Sequence, residues 1–256
     1  MDSVIAKAAV AFTGGKDSVL ALHLVSHRFH TPYSSQPLLD PVVLVSFRPS
    51  NTSNDFKAHK HEWTCMQAAS LGLPLVTKYI TSSSSLSYED SYRACIRELA
   101  DEYGITKLVT GDIEDVGEGF MDRAVQTTGV ELVRPLWKIP RPQILDMLQT
   151  LNIVYIVTLT RLDKLPAPVS ERLLGHIITP EYLLEQFAWY DTNHVKMDLA
   201  NTVDLAGEFG EMHSMVINCP LFRHQVVQSG GTILVSESQF GSYMYLSPGE
   251  LSTIPK

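Results

Sequence analysis

The strongest chemical signal in this 256-residue chain is the run Thr13-Gly14-Gly15-Lys16-Asp17-Ser18. It follows the apolar run 8–12, which reads as a strand, and opens Ser18 to Arg28, which reads as a helix. Tandem glycines remove side chains where backbone must approach an anion closely. The mouth of a helix adds outward-facing amides and partial positive charge. Thr13 and Ser18 contribute hydroxyls and Lys16 a cation, all suited to phosphate oxygens. Asp17 is the odd member, because a carboxylate in a phosphate loop calls for Mg2+ or a structural partner. The spacing is neither that of the Walker A loop nor that of the dinucleotide glycine pattern. Phosphoryl transfer and hydride transfer therefore both lose ground. The bland alternative is a glycine-rich turn with a helix cap. Its place after the first strand, where doubly wound folds bind ligands, favours the ligand-binding reading.

A second group lies near the C-terminus, in Gly207-Glu208-Phe209-Gly210-Glu211-Met212-His213. Glu208 and Glu211 flank Gly210, a spacing that can direct both carboxylates into one pocket. There they can hold a cationic group, position an attacking amine or act as a base; a solvated acidic turn is the alternative. His213 can titrate near neutrality. Weaker candidates are His59, which either contacts substrate or caps a helix, and Asp112 in Gly111-Asp112-Ile113. Asp112 follows the fourth strand and either reaches Mg2+ or ribose or caps a turn. Glu89 and Tyr92 lie one helical turn apart and can face an acyl pocket, although Tyr92 also suits the core. His23, His27 and His30 share helical spacing but have no carboxylate or thiolate to complete a metal shell, so a solvated face is the better reading.

These residues need a scaffold, and the first 138 residues supply a repeating one. Short β-branched runs at 42–47, 75–80, 107–110 and 131–134 alternate with amphipathic stretches at 59–71 and 88–103. That alternation predicts right-handed crossovers and a mostly parallel sheet, an α/β domain over 1–138. After Trp137 the pattern breaks into shorter elements punctuated by proline, read as a smaller α+β domain over 139–256. The segment 82–85 reads as a polar loop, and the tail 251–256 is expected to fray.

Composition narrows the classes further. The chain is 45% hydrophobic with a formal net charge of −8 and no Lys/Arg cluster, which disfavours a nucleic-acid-wrapping protein. No apolar run is long enough to cross a membrane, and the N-terminus shows no secretory pattern. Cys65, Cys95 and Cys219 are odd in number and far apart, forming neither a disulfide framework nor a metal knuckle. The expectation is a reduced, cytoplasmic protein.

The loop Thr13 to Ser18 resembles the S-G-G-x-D-S loop of the N-type ATP pyrophosphatases, the PP-loop superfamily, with Thr in place of the first Ser. Further segments resemble the diphthine–ammonia ligase family within it: Tyr88 to Arg93, Gly104-Ile105, Gly111-Asp112-Ile113, Arg134-Pro135-Leu136-Trp137, Lys164-Leu165-Pro166, Leu174-Gly175-His176, the 207–213 motif and Pro220-Leu221-Phe222. The resemblance implies a Rossmann-like, adenine nucleotide alpha hydrolase-like fold. It implies that Thr13, Gly14, Gly15, Lys16, Asp17 and Ser18, with Gly111 and Asp112, hold ATP, and that Asp17 and Asp112 hold Mg2+. Lys16, Asp17, Glu208 and Glu211 would be catalytic, and Glu89, Tyr92, His59, Glu208, Glu211 and His213 would meet the substrate. The implied reaction adenylylates a carboxylate, releases pyrophosphate, and amidates the acid with ammonium. Diphthine on elongation factor 2 is the leading acid; a small-metabolite acid or a non-catalytic ATP sensor are the alternatives. Two departures stand out. His213 occupies the place of a third acid, and Phe56-Lys57-Ala58-His59 looks more like a bacterial branch of the family. A tRNA thiolase is disfavoured, since there is no cysteine pair for sulfur relay and no basic RNA surface.

Overall fold

The computed structural model describes residues 5–34, 37–50, 57–83, 87–238 and 241–256. Phe56 of the 56–59 segment and Ser84 and Ser85 of the polar loop fall outside these residues. The chain divides into two compact units, one of Met1–Thr13, Asp17–Asn54 and Ala68–Lys138, the other of Gly14–Lys16, Asp55–Gln67 and Ile139–Lys256.

The first unit is built on strands β1 (Lys7–Ala11), β2 (Asp40–Pro49), β3 (Leu75–Ile80), β4 (Lys107–Val109) and β5 (Glu131–Val133). All four pairings are parallel, in the order β3-β2-β1-β4-β5. Ala8, Ala9 and Val10 of the central β1 have no exposed surface, as a strand covered on both faces requires. Helix α1 (Lys16–Val25) follows β1, and α3 (Tyr88–Tyr103) and α4 (Phe120–Val125) follow β3 and β4. Ile96 and Leu99 of α3 and Ala124 of α4 pack on Ala9, Val43, Val45 and Leu108 of the sheet. Ser87 caps α3, its side chain accepting from Asp90 N. The chain winds outward from β1 in both directions, so the order reverses between β1 and β4. That crevice is where open α/β sheets bind ligands.

The second unit holds α2 (His61–Leu71) in large part. It continues with α5 (Arg141–Thr150), β6 (Val154–Arg161), α6 (Ala167–Leu173), α7 (Pro180–Asn193), α8 (Leu199–Thr202), β7 (Met212–Asn218), β8 (His224–Ser238) and β9 (Gly241–Pro255). The last strands form an antiparallel sheet in the order β7-β6-β9-β8. Residues 155–160 of β6, which has a partner on each side, are buried throughout.

Two expectations are corrected. The tail is not frayed: Leu251 pairs with Gln228 and Pro255 with His224, and the Lys256 ammonium donates to the Cys219 carbonyl. Prolines 248 and 255 disguised this strand. They are tolerated because β6 pairs with β9 only over Tyr243–Tyr245, leaving the far side of the remainder unpaired in the sheet. The three histidines also do not share one solvated helix face: His30 is exposed and His27 half-buried, but His23 is not solvated. α1 ends at Val25, and His23 is fully buried, donating from Nδ1 to the Val19 carbonyl at 2.8 Å with its ring edge-on to Phe29.

Candidate functional site

In the first unit, β1 delivers Phe12 to the carboxyl edge of the sheet, where its N–H donates to Val45 O at 2.8 Å. Thr13 then emerges exposed, and the Thr13 and Ser18 hydroxyls lie 3.5 Å apart across the bend that starts α1. The loop after β4 comes up against this bend. A Cβ on Gly111 would stand 2.8 Å from the Asp17 carbonyl carbon and 2.9 Å from Ser18 N, so no other residue fits without displacing backbone. A cavity of about 280 Å³ opens here, lined by Thr13, Asp17 and Ser18, by Ser46 and Phe47 at the end of β2, and by Tyr92, Thr110, Gly111 and Asp112 among others.

Burial acts on two groups of this cavity, Asp112 and Tyr92. The Asp112 carboxylate accepts from the Thr110 hydroxyl at 2.7 Å. Burial holds its pKa above the ordinary carboxylate value, against the pull of Thr110 and Arg134. Tyr92 packs against Phe47 at 4.6 Å between ring centroids and edge-on to Phe120 at 5.0 Å. Burial pushes its phenol up, so the hydroxyl stays protonated at neutral pH. Glu89 does not line the cavity. It accepts from Arg93 at 2.7 Å and Arg123 at 2.9 Å, tying α3 to α4, and the hydrogen bonds from Arg123 and Arg93 lower its pKa.

Within the second unit, the tip of the loop is held by backbone and side-chain bonds to β7. Val216 N donates to Gly14 O at 2.9 Å, and Lys16 N donates to the Ser214 hydroxyl at 3.2 Å. The Lys16 side chain is buried and its ammonium donates to the Ala206 carbonyl. Ala206 leads into the glutamate turn. Asp204 organises that turn, accepting from Ala206 N and Gly207 N at 2.8 Å each and from Arg141 Nε at 2.7 Å. Gly207 and Gly210 both take positive φ, and a Cβ on Gly207 would meet Met212 O at 2.8 Å. Glu208 is half-buried. Glu211 is buried, and its Oε2 has no hydrogen-bond partner among the described residues. His213 meets His59 edge-on at 5.3 Å, and His59 Nδ1 lies 3.3 Å from Met215 Sδ. Burial, with help from the Lys16 charge, drives the His213 pKa down to about 4, so this ring is neutral at pH 7.

Thr13, Asp17, Ser18, Tyr92, Gly111 and Asp112 thus line one cavity, and Lys16, His59, His213 and the glutamate turn belong to the second unit. Two residues that sequence reasoning passed over, Gln67 and Ser214, hold the loop; a polar residue inside a helix or strand carries no periodic signal to mark it. Among the described residues no cluster of three His, Cys, Asp or Glu could by itself cage a metal. The Asp17 and Asp112 carboxylates in one cavity nevertheless fit Mg2+. That ion is commonly held by one or two carboxylates together with substrate phosphates. No helix among the described residues is long and apolar enough to cross a membrane.

The model of the diphthamide synthase N-terminal domain matches residues 6–132. No curated protein matches the chain. Among solved structures it is similar to the U34-tRNA thiolase NcsA from Methanococcus maripaludis with its 4Fe-4S cluster, at 14% identity and a TM-score of 0.36. That likeness covers 57% of this chain and 57% of the thiolase chain. The residues that match the diphthamide synthase N-terminal domain run from β1 into β5, and so carry the parallel sheet and the glycine-rich loop between β1 and α1.

Proposed function

We propose that the chain is an ATP-dependent carboxylate–ammonia ligase that forms AMP and pyrophosphate, with diphthine on elongation factor 2 as the acid. The observation that carries this reading is the cavity at the β1/β4 crevice, where Thr13, Ser18, Asp17 and Asp112 face one space. Hydroxyls at a helix mouth suit phosphate oxygens. Two carboxylates beside them suit the divalent ion that travels with ATP. When bound, Mg2+ would offset phosphate charge at Asp17 and Asp112.

The chain's own residues then do alignment more than covalent chemistry. The 13–18 loop holds the β- and γ-phosphates so that the α-phosphorus faces the acid. A carboxylate oxygen attacks that phosphorus, the bond from it to the bridging oxygen breaks, and pyrophosphate leaves with the electron pair. Ammonia then attacks the acyl carbon, the carbon–oxygen bond to AMP breaks, and the surplus proton passes to solvent. Glu208 and Glu211 are assigned to the cationic end of the acid or to the incoming amine, and His59 and neutral His213 to its flank. With His213 neutral, the motif carries these two acids and no third. The two acids supply the negative charge that a trimethylammonium group needs, and the place of His213 at the third position counts against that group.

The test is incubation of the full chain with MgATP, ammonium and elongation factor 2 bearing diphthine, with products resolved by mass spectrometry. The expected result is AMP, pyrophosphate and a factor converted from carboxylate to amide. Release of ADP would overturn the mechanism. AMP formation only with another acid would overturn the choice of substrate.

A further inference from the structure

We infer that Gln67 is a positioning residue for nucleotide binding, the clamp that sets the direction of the Gly14–Gly15 peptide. The inference rests on the reading of the 13–18 loop as the ATP site. Gln67 lies in α2 and has no exposed surface. Its Nε2 donates to Gly14 O at 2.9 Å and to Val216 O at 2.7 Å, which uses both of its hydrogens. The assignment of the amide is forced, since the flipped form would place oxygen against two carbonyls. Gly14 O therefore takes two hydrogen bonds, one from Gln67 and one from Val216 N.

A trans peptide directs its C=O and its N–H to opposite sides. Fixing Gly14 O toward α2 and β7 turns the Gly15 N–H the other way, the polarity an anion-binding bend requires. Gln67 also explains why position 14 must be glycine. A Cβ there would fall 2.0 Å from Gln67 Oε1, and φ is +78°. The same oxygen is buried and has no hydrogen-bond partner among the described residues. An orphaned buried acceptor opposes folding, so a side chain kept for packing alone would be better apolar. What the amide supplies is direction for the loop.

The experiment compares the wild-type chain with Gln67→Met, of similar length but without donors. Three quantities are read: calorimetric Kd for MgATP, Kd for magnesium pyrophosphate, and hydrogen exchange of peptides covering residues 13–18. The expected result is faster exchange in that peptide and an equal loss of about tenfold in both affinities, the scale of one hydrogen bond, with little change in Tm. AMP, which lacks the pyrophosphate, should bind both proteins alike. Unchanged MgATP affinity in the folded variant would overturn the inference, as would an equal loss for AMP. Wild type that binds neither MgATP nor pyrophosphate would instead defeat the ATP-site reading, and the clamp with it. Should Gln67→Met fail to fold, Gln67→Glu sets a carboxylate against the two carbonyls and is held to the same affinities.

Discussion

Gly111 and Asp17 approach so closely that a single added methyl would stand 2.8 Å from the Asp17 carbonyl carbon. The contact is between two backbones, so neither side can yield by rotating a side chain. Gly111→Ala should push the β4 loop off the start of α1 and cost about 1–3 kcal/mol, as overpacking does. For a chain of this size that is a fall in Tm of roughly 2–4 °C per kcal/mol. Calorimetry should show MgATP binding lost along with it. Retained affinity with a lowered Tm would mean that the cavity is not where ATP sits.

The paired carboxylates make a separate prediction. Asp17→Asn and Asp112→Asn should each weaken MgATP binding by about tenfold or more, the scale of a charge-assisted contact. Binding of ATP in the presence of a chelator should change much less. Equal losses with and without Mg2+ would assign these residues to the nucleotide itself.

His213 links stability to pH. Its folded pKa of about 4 lies below the ordinary 6.5, so the unfolded chain takes up the proton first. The stability that neutral His213 contributes is fully present above about pH 6.5 and drains away as pH falls toward 4. Lys16 and His59 are the cationic and titratable neighbours that the described contacts place beside it. Urea midpoints measured from pH 7 down to 4.5 should fall more steeply for wild type than for His213→Gln. Parallel slopes would show that the ring is solvated.

Deletion of residues 251–256 should free the strand segment His224–Gln228, whose partners they are. Hydrogen exchange there should accelerate, while peptides from β1 and β4 keep their protection. Uniform acceleration would indicate global destabilisation instead.

The legible and illegible parts of this chain differ for physical reasons. The parallel sheet and its order of elements were readable because strands buried on both faces are continuous apolar runs, and the bend at Gly14 because tandem glycines between a strand and a helix mark a turn with positive φ. Glu89 misled because helical spacing from Tyr92 brings two residues to one face without saying what else reaches them; Arg93 and Arg123 do. The tail was misread because the segment it pairs with, His224–Gln228, is cut off by Gly230 and Gly231 from the apolar run Ile233 to Val235 of the same strand. Gln67 and Ser214 were invisible because a clamp is defined by what it reaches across the fold.

The holding of Gly14 and Lys16 by Ser214, Val216 and Ala206 bears on how this protein can be dissected. The family match ends at residue 132, which invites expression of the N-terminal half as a minimal module. Such a fragment would keep every residue of the glycine bend and lose the strand that shapes it. It would be a lock with all its pins and no housing, and a negative binding result from it would say nothing about the intact chain.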